Sequence, residues 1–268
     1  MPARLQDAAT FHELHKDLLI LPNAWDAASA RVIQEAGAKA IATSSAAVAW
    51  AHGFADGHHF PPEKLVTVVE EIARVVSVPI TCDAEAGYAD TPEGAAENVR
   101  KFIGAGAVGI NLEDGKQPHE LHLRKIEAIR AAAEQAGVNL FINARTDVIL
   151  KQLVPPERAI EESLKRAAAI KNAGASGLFV PGIATADDIA ALARGAGLPL
   201  NVMARPGAPN AATLRELGVK RLSAATGTFN VAMAALTDAT TDFLASGDSE
   251  TLWSKRGSPL DYNTLFTA

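Results

Sequence analysis

The sequence predicts an α/β fold, a (β/α)8 TIM-type barrel, and three observations carry that expectation. Short β-branched apolar runs alternate with segments of helical spacing, eight times over. Strands that alternate with helices form a parallel sheet with right-handed crossovers. Eight units of about 33 residues fit a closed barrel, whose usual length is about 250 residues, and the chain has 268. The third observation is that polar residues gather after the apolar runs rather than before them, where such a barrel carries its chemistry. The competing architecture is a doubly wound open sheet. It would need a Gly-rich phosphate loop after the first strand, and Leu21-Pro22-Asn23-Ala24-Trp25 holds no glycine.

In chain order the predicted strands are 18–21, 38–43, 78–83, 108–113, 139–144, 177–181, 198–203 and 219–223. Amphipathic helices fall between them, among them 27–35, 62–76, 92–103 and 156–172. Proline stands in the opening turn of three of these, and pairs such as Ala36-Gly37, Ala105-Gly106, Ala173-Gly174 and Leu217-Gly218 close several segments. Proline at the start and glycine just past the end is the expected asymmetry. The whole chain, 1–268, reads as one barrel domain with extra C-terminal helices, and 247–268 as a tail suited to subunit contact.

Composition narrows the function classes. Hydrophobic residues at 48% and charged residues at 21% describe a globular chain. A net charge of -6, from 31 acids against 25 bases, excludes a general nucleic-acid binder, which needs a basic face. The lone cysteine, Cys82, can form neither an internal disulfide nor a Cys-rich zinc site, and it points to the reducing cytoplasm. Residues 1–16 are polar with charges of both signs, and no apolar run approaches about 18 residues, so neither export nor membrane spanning is expected.

The strand ends supply the candidate site. Asn23 and Asp26 follow the first strand, Ser44 and Ser45 the second, Asp83-Ala84-Glu85-Ala86-Gly87-Tyr88 the third and Glu113-Asp114-Gly115 the fourth. Asn143-Ala144-Arg145-Thr146-Asp147 follows the fifth, and Asn201 and Arg205 belong to the seventh. Asp83 and Glu85 are two apart and in extended backbone point the same way. With Glu113 from the neighbouring strand they place three carboxylates at one mouth, and a hard divalent cation, magnesium, is the economical remedy for their repulsion. The alternative is that these acids cap helices or pair with Arg145. Arg145 can hold a carboxylate or phosphate, or can pair with Asp147 or Glu113. Ser44, Ser45 and Ala46 can offer N–H groups and hydroxyls to an anion, or form a plain turn. Asp56 lies on a long loop of the kind that acts as a lid, and His52, His58 and His59 on that loop read as solvated. Cys82, facing away from Asp83, reads as buried and inert; Trp25 and Trp50 line the mouth or pack in the core.

At these residues the sequence resembles the isocitrate lyase and phosphoenolpyruvate mutase superfamily, over about 19–236, and in particular its small bacterial branch. Pro22-Asn23-Ala24-Trp25-Asp26-Ala27-Ala28-Ser29-Ala30 resembles that branch's opening strand and helix. Asp83-Ala84-Glu85-Ala86-Gly87-Tyr88, Gly109-Ile110-Asn111-Leu112-Glu113-Asp114 and Asn143-Ala144-Arg145-Thr146-Asp147 are similar to three further motifs of the family. The resemblance implies Mg2+, small 2-oxo acids or their precursors as substrates, and cleavage or formation of a carbon–carbon or carbon–phosphorus bond. It implies that Asp83, Glu85 and Glu113 hold the metal directly or through water. Ser44, Ser45 and Ala46 would bind the substrate's carboxylate or phosphonate with support from Arg145, and Asp56 would sit on the mobile loop. It also implies a homotetramer whose last barrel helix, near 230–246, swaps onto a neighbour.

The sequence departs from the family in three places. Gly115-Lys116-Gln117-Pro118-His119-Glu120 stands where the isocitrate and methylisocitrate lyases carry a Lys-x-Cys-Gly-His loop, Ala42 where they tend to have an aromatic residue, and Glu85 where the signature has aspartate. The leading expectation is therefore a magnesium-dependent lyase of small 2-oxo or hydroxy acids working through an enolate, by decarboxylation or retro-aldol cleavage. Glu113, Arg145 and Asp56 are its catalytic candidates, and Asp83 and Asn201 join the substrate-binding set. His119, His122 and Tyr88 are candidates for the general acid. A phosphonomutase or phosphonopyruvate hydrolase is the alternative, and a non-catalytic 2-oxo acid binding protein a third reading. The expected partners are a small carboxylate substrate and further copies of the chain, as dimer or tetramer.

Overall fold

Pro22 breaks the first strand in two, and the break is what closes the barrel. Proline has no N–H to give to a ladder. Residues before it form β1 (Leu19–Leu21), which pairs with the last strand, β9 (Arg221–Ser223); residues after it form β2 (Asn23–Ala24), which pairs with β3 (Ile41–Thr43). The computed structural model describes residues 5–254 and 260–267. Among these, the remaining strands are β4 (Ile80–Asp83), β5 (Ala107–Glu113), β6 (Phe141–Arg145), β7 (Gly177–Phe179) and β8 (Leu200–Met203). All pairs are parallel, in the order β1-β9-β8-β7-β6-β5-β4-β3-β2. The eight expected strands are thus all present, the first of them split. Asn23 stitches the seam: its Nδ2 donates to the Thr43 carbonyl at 2.8 Å and its Oδ1 accepts the Ala224 N–H at 2.9 Å.

Helices surround this sheet as a TIM-type fold requires. Proline at the first position opens α4 (Pro62–Val75) and α5 (Pro92–Ala105), and Thr91 caps the latter. Asp26 and Ser29 form a reciprocal capping box at α2 (Ala27–Glu35). The outer layer continues with α6 (His119–Gln135), α7 (Ala159–Asn172), α8 (Ala186–Gly195) and the short α9 (Ala211–Glu216). A seven-residue helix, α3 (Ser45–Ala51), follows β3 directly.

Two features were not announced by the hydrophobic pattern. The polar N-terminal stretch forms α1 (Leu5–Leu14), which plugs the barrel from the strand-start side. Its Phe11 is fully buried, meets Phe141 edge to face at 5.4 Å, and lies so close to Gly109 that a Cβ there would come within 2.7 Å of the ring. The barrel interior is also more polar than a Val/Ile/Leu layer. Asn143 Nδ2 donates to Asn111 Oδ1 and to Asn201 Oδ1, each at 2.9 Å, and the fully buried Arg221 reaches Asn111 Oδ1 at 3.2 Å. Beyond the barrel, α10 (Gly227–Ser246) buries only Phe229 and leaves Val231, Leu236 and Leu244 exposed. The tail adds α11 (Ser249–Ser254) and α12 (Tyr262–Phe266); its residues 255–259 and 268 lie outside the described ones.

Candidate active site

The loop after β4 is built to hold one carboxylate. Glu85 and Tyr88 both have left-handed backbone, at φ 45° and 52°, and Gly87 between them has φ 89° with a notional Cβ 2.6 Å from Ala95 Cβ. Non-glycine residues in that region carry a conformational cost that surrounding contacts must offset. Two side chains supply those contacts. Lys125, fully buried on α6, donates to the Ala86 and Ala89 carbonyls at 2.8 and 2.7 Å and to Gln117 Oε1 at 2.8 Å. Asn98 of α5 donates to the Gly87 carbonyl at 3.0 Å. Lys125 therefore ties the loop after β4 to the loop after β5.

The strand ends bring the three predicted carboxylates to the same mouth. Asp83 Oδ2 accepts the Ser45 N–H at 3.0 Å and the Ser45 hydroxyl at 2.8 Å. The Glu113 N–H donates to the Glu85 carbonyl at 2.8 Å, which joins the second and third acids through their backbones. Glu85 Oε2 accepts the His58 N–H at 2.5 Å and its Oε1 the Tyr88 hydroxyl at 3.0 Å. Burial pushes Glu85 up to about 7, with the Asp83 charge adding to it. Burial likewise pushes Glu113 up to about 7, against the pull of Arg145.

Arg145 forms both of the ion pairs weighed for it. Its Nη1 lies 2.8 Å from Glu113 Oε2, its Nε 2.7 Å from Asp147 Oδ1 and its Nη2 3.1 Å from Asp147 Oδ2. Burial opposes the guanidinium charge, but Glu113 and Asp147 outweigh it and raise the pKa. Lys151 completes the cluster, 2.7 Å from Asp147 Oδ2 and 3.6 Å from Glu113 Oε1. It lies four residues after Asp147, across a turn closed by the Lys151 N–H on the Asp147 carbonyl at 2.8 Å. Lys125 had a signal: it falls on the buried stripe of α6 with His122, Ile129 and Ala132.

Of the other predicted residues, some border this centre and some lie away from it. Ser44 caps α3 through its side chain, and Ser45 and Ala46 open that helix beside Asp83. Asp56 is exposed, and the loop touches the acids through His58 instead, whose ring Nε2 lies 3.6 Å from Glu85 Oε2. This corrects the reading of His58 as a merely solvated residue. Asn201 sits in the interior network, its Nδ2 on the Val202 carbonyl and Ser223 Oγ and its Oδ1 on Asn143. His119 and His122 belong to the outer side of β5, with His122 Nε2 on the Leu112 carbonyl at 3.1 Å, so neither faces the mouth as a general acid would. Cys82 is buried, and burial raises its thiol pKa. Trp25 and Trp50 both pack on Phe229, at 5.2 and 5.7 Å.

A parallel barrel whose strand ends carry buried acids of raised pKa around a fixed arginine defines a TIM-type enzyme class. The chain belongs to the phosphoenolpyruvate phosphomutase family, whose model matches residues 11–244, within the PEP mutase/isocitrate lyase superfamily of lyases and phosphonomutases. A crystal structure from Burkholderia cenocepacia J2315, provisionally named a phosphonomutase, is 43% identical with a TM-score of 0.85, covering 88% of this chain and 99% of its own. The chloroplastic carboxyvinyl-carboxyphosphonate phosphorylmutase of Arabidopsis thaliana is 32% identical over 66% of this chain and 55% of its own length. A Corynebacterium glutamicum protein named probable 2-methylisocitrate lyase 2 is 30% identical over 67% of this chain and 60% of its own.

The donor set suits magnesium. Asp83, Glu85 and Glu113 offer only oxygens, the hard ligands Mg2+ takes. Two of the three are held near 7 by burial, a cost that a divalent cation would offset.

Proposed function

We propose that the chain is a magnesium-dependent carbon–carbon lyase of small 2-oxo or hydroxy carboxylic acids, acting by decarboxylation or retro-aldol cleavage with an enolate as intermediate. The observation that carries this reading is the set of under-compensated acids, Glu85 and Glu113 with Asp83, beside a guanidinium held in place by Asp147. Asp83, Glu85 and Glu113 would hold the ion, directly or through water. When bound it supplies positive charge toward a substrate carboxylate and carbonyl.

The chain's own residues do the rest. Arg145 and the N-terminal end of α3 at Ser44, Ser45 and Ala46 bind the substrate's carboxylate, with Asn201 supporting the floor. The loop that carries Asp56 and His58 keeps water from the enolate. The bare apolar residues of α10, together with Ile20 of β1 at 51% exposure, support exchange of that helix between subunits in a tetramer. The test is pyruvate release from oxaloacetate and cleavage of substituted malates, above the uncatalysed rate, with Mg2+ or with chelator. Turnover that needs Mg2+ and is lost in Glu113→Gln supports the reading; turnover indifferent to both contradicts it.

A second reading is phosphonomutase or phosphonopyruvate hydrolase chemistry, favoured by the name of the 43% identical relative. Phosphate release from phosphonopyruvate, abolished by Asp56→Ala, would replace the first reading with this one.

A further inference from the structure

Behind the mouth, on the opposite side of the β5 end from Glu113, lie three ligand-type side chains. One donor atom each from Asp114, His119 and His122 falls within 4.8 Å of the others. His119 opens α6 and His122 lies one turn further on, so the two rings project from one face of that helix.

The ring nitrogens are what make this more than a cluster. His122 is fully buried, and its Nε2, donating to the Leu112 carbonyl at 3.1 Å, leaves Nδ1 as a bare lone pair with no partner. Both nitrogens of His119 are likewise buried atoms without a hydrogen bond. A histidine that gives one N–H to a backbone carbonyl and presents the other nitrogen unpaired has the form that metal-binding histidines take. Burial lowers both imidazole pKa values, which keeps the rings neutral and able to ligate. Asp114 Oδ2 is taken up by the Thr146 hydroxyl and Arg166 Nη1, both at 2.7 Å, whereas Oδ1 accepts only the Asp147 N–H at 2.8 Å and keeps a lone pair. Glu162 pairs with Arg166 Nε at 2.9 Å and offsets its charge.

We propose that Asp114, His119 and His122 form a second metal site, separate from the oxygen-only mouth, that takes a borderline-soft divalent ion of the Zn2+ type. Two imidazoles and one carboxylate are a ligand set that Zn2+ accepts and Mg2+ does not favour. Tetrahedral Zn2+ with bonds of about 2.0–2.1 Å needs its ligands a little over 3 Å apart, so from separations within 4.8 Å the side chains need close by no more than about 1.5 Å on binding. An ion there ties the start of α6 to the end of β5, and so braces the strand end that carries Glu113.

The test uses the full chain, stripped with chelator and titrated with Co2+ and with Zn2+, each in millimolar Mg2+ that fills the mouth. The expected result is one equivalent of Co2+ with the intense visible absorption of tetrahedral nitrogen and oxygen coordination, displaced by Zn2+. His119→Ala, at the rim, should weaken Co2+ binding at least tenfold, while Glu113→Gln should leave it within twofold. His122→Gln gives the same loss if it folds, and His119→Ala stands alone if it does not. Unchanged affinity in His119→Ala, loss of the site in Glu113→Gln, or no binding below about 100 μM Co2+ would each overturn the proposal.

Discussion

Glu113 and Asp114 are neighbours in the chain and opposites in circumstance. Glu113 faces the mouth, where burial raises its pKa to about 7 despite Arg145 at 2.8 Å. Asp114, fully buried on the other side of the strand end, has a hydroxyl, an N–H and a guanidinium within 2.8 Å. Successive residues in extended backbone point to opposite faces, so one strand end can serve both roles. The pair shows how the barrel separates chemistry from scaffold. The inner acid, though it meets Arg145 and Lys151, has its pKa held up by burial, while the outer one locks β5 to β6 and α7 and keeps a lone pair on Oδ1.

The contrast breaks first under substitution. Glu113→Gln should lower lyase turnover by about 10^3-fold or more, on the scale of removing a metal ligand's charge stabilisation, with the fold retained by circular dichroism. Asp114→Ala should do the reverse. Leaving Arg166 and Thr146 without their acceptor should cost about 3 kcal/mol or more, read as a lower urea midpoint with unchanged slope.

Glu113 also carries a pH dependence. For Glu113 the folded pKa, about 7, lies above the ordinary 4.5. The folded state therefore holds the proton longer, and its contribution to stability is full below pH 4.5 and lost as pH rises to 7. In chelator, the wild type should lose stability relative to Glu113→Gln by about 1 kcal/mol per pH unit across that window. Parallel urea midpoints from pH 4.5 to 7.5 would show that Glu113 carries no such penalty. The smallest effect is expected at Asp56, which is exposed: Asp56→Ala should change carbon–carbon cleavage by less than about tenfold, a modest lid contribution in steady-state assays.

Much of this was legible in the sequence, for physical reasons. Short β-branched apolar runs between capped helices marked all eight strands. Asp83 and Glu85 stood out as a pair, but β4 ends at Asp83 and Glu85 has φ 45°, so a left-handed turn and not extended backbone brings them to one mouth. Pro22 was visible, but that it would split the first strand and let β1 and β2 take different partners depends on closure of the whole sheet. Phe11 was hidden because α1 has one deeply buried aromatic among polar neighbours and no long apolar stripe. Lys125 sat in plain view on a buried stripe, yet a lysine there reads as solvated until the carbonyls of Ala86 and Ala89 converge on it. His119 and His122 stand in the sequence as candidate general acids, and only the placement of α6 outside the barrel turns them from the mouth.

The most direct test of the central claim is calorimetric titration of oxalate, an enolate-like dianion, into the chain with and without Mg2+. Binding that requires Mg2+ and disappears in Glu113→Gln is the predicted result. Oxalate that binds equally well in chelator, or equally well to Glu113→Gln, would contradict the assignment of the mouth as a magnesium site for 2-oxo acid chemistry.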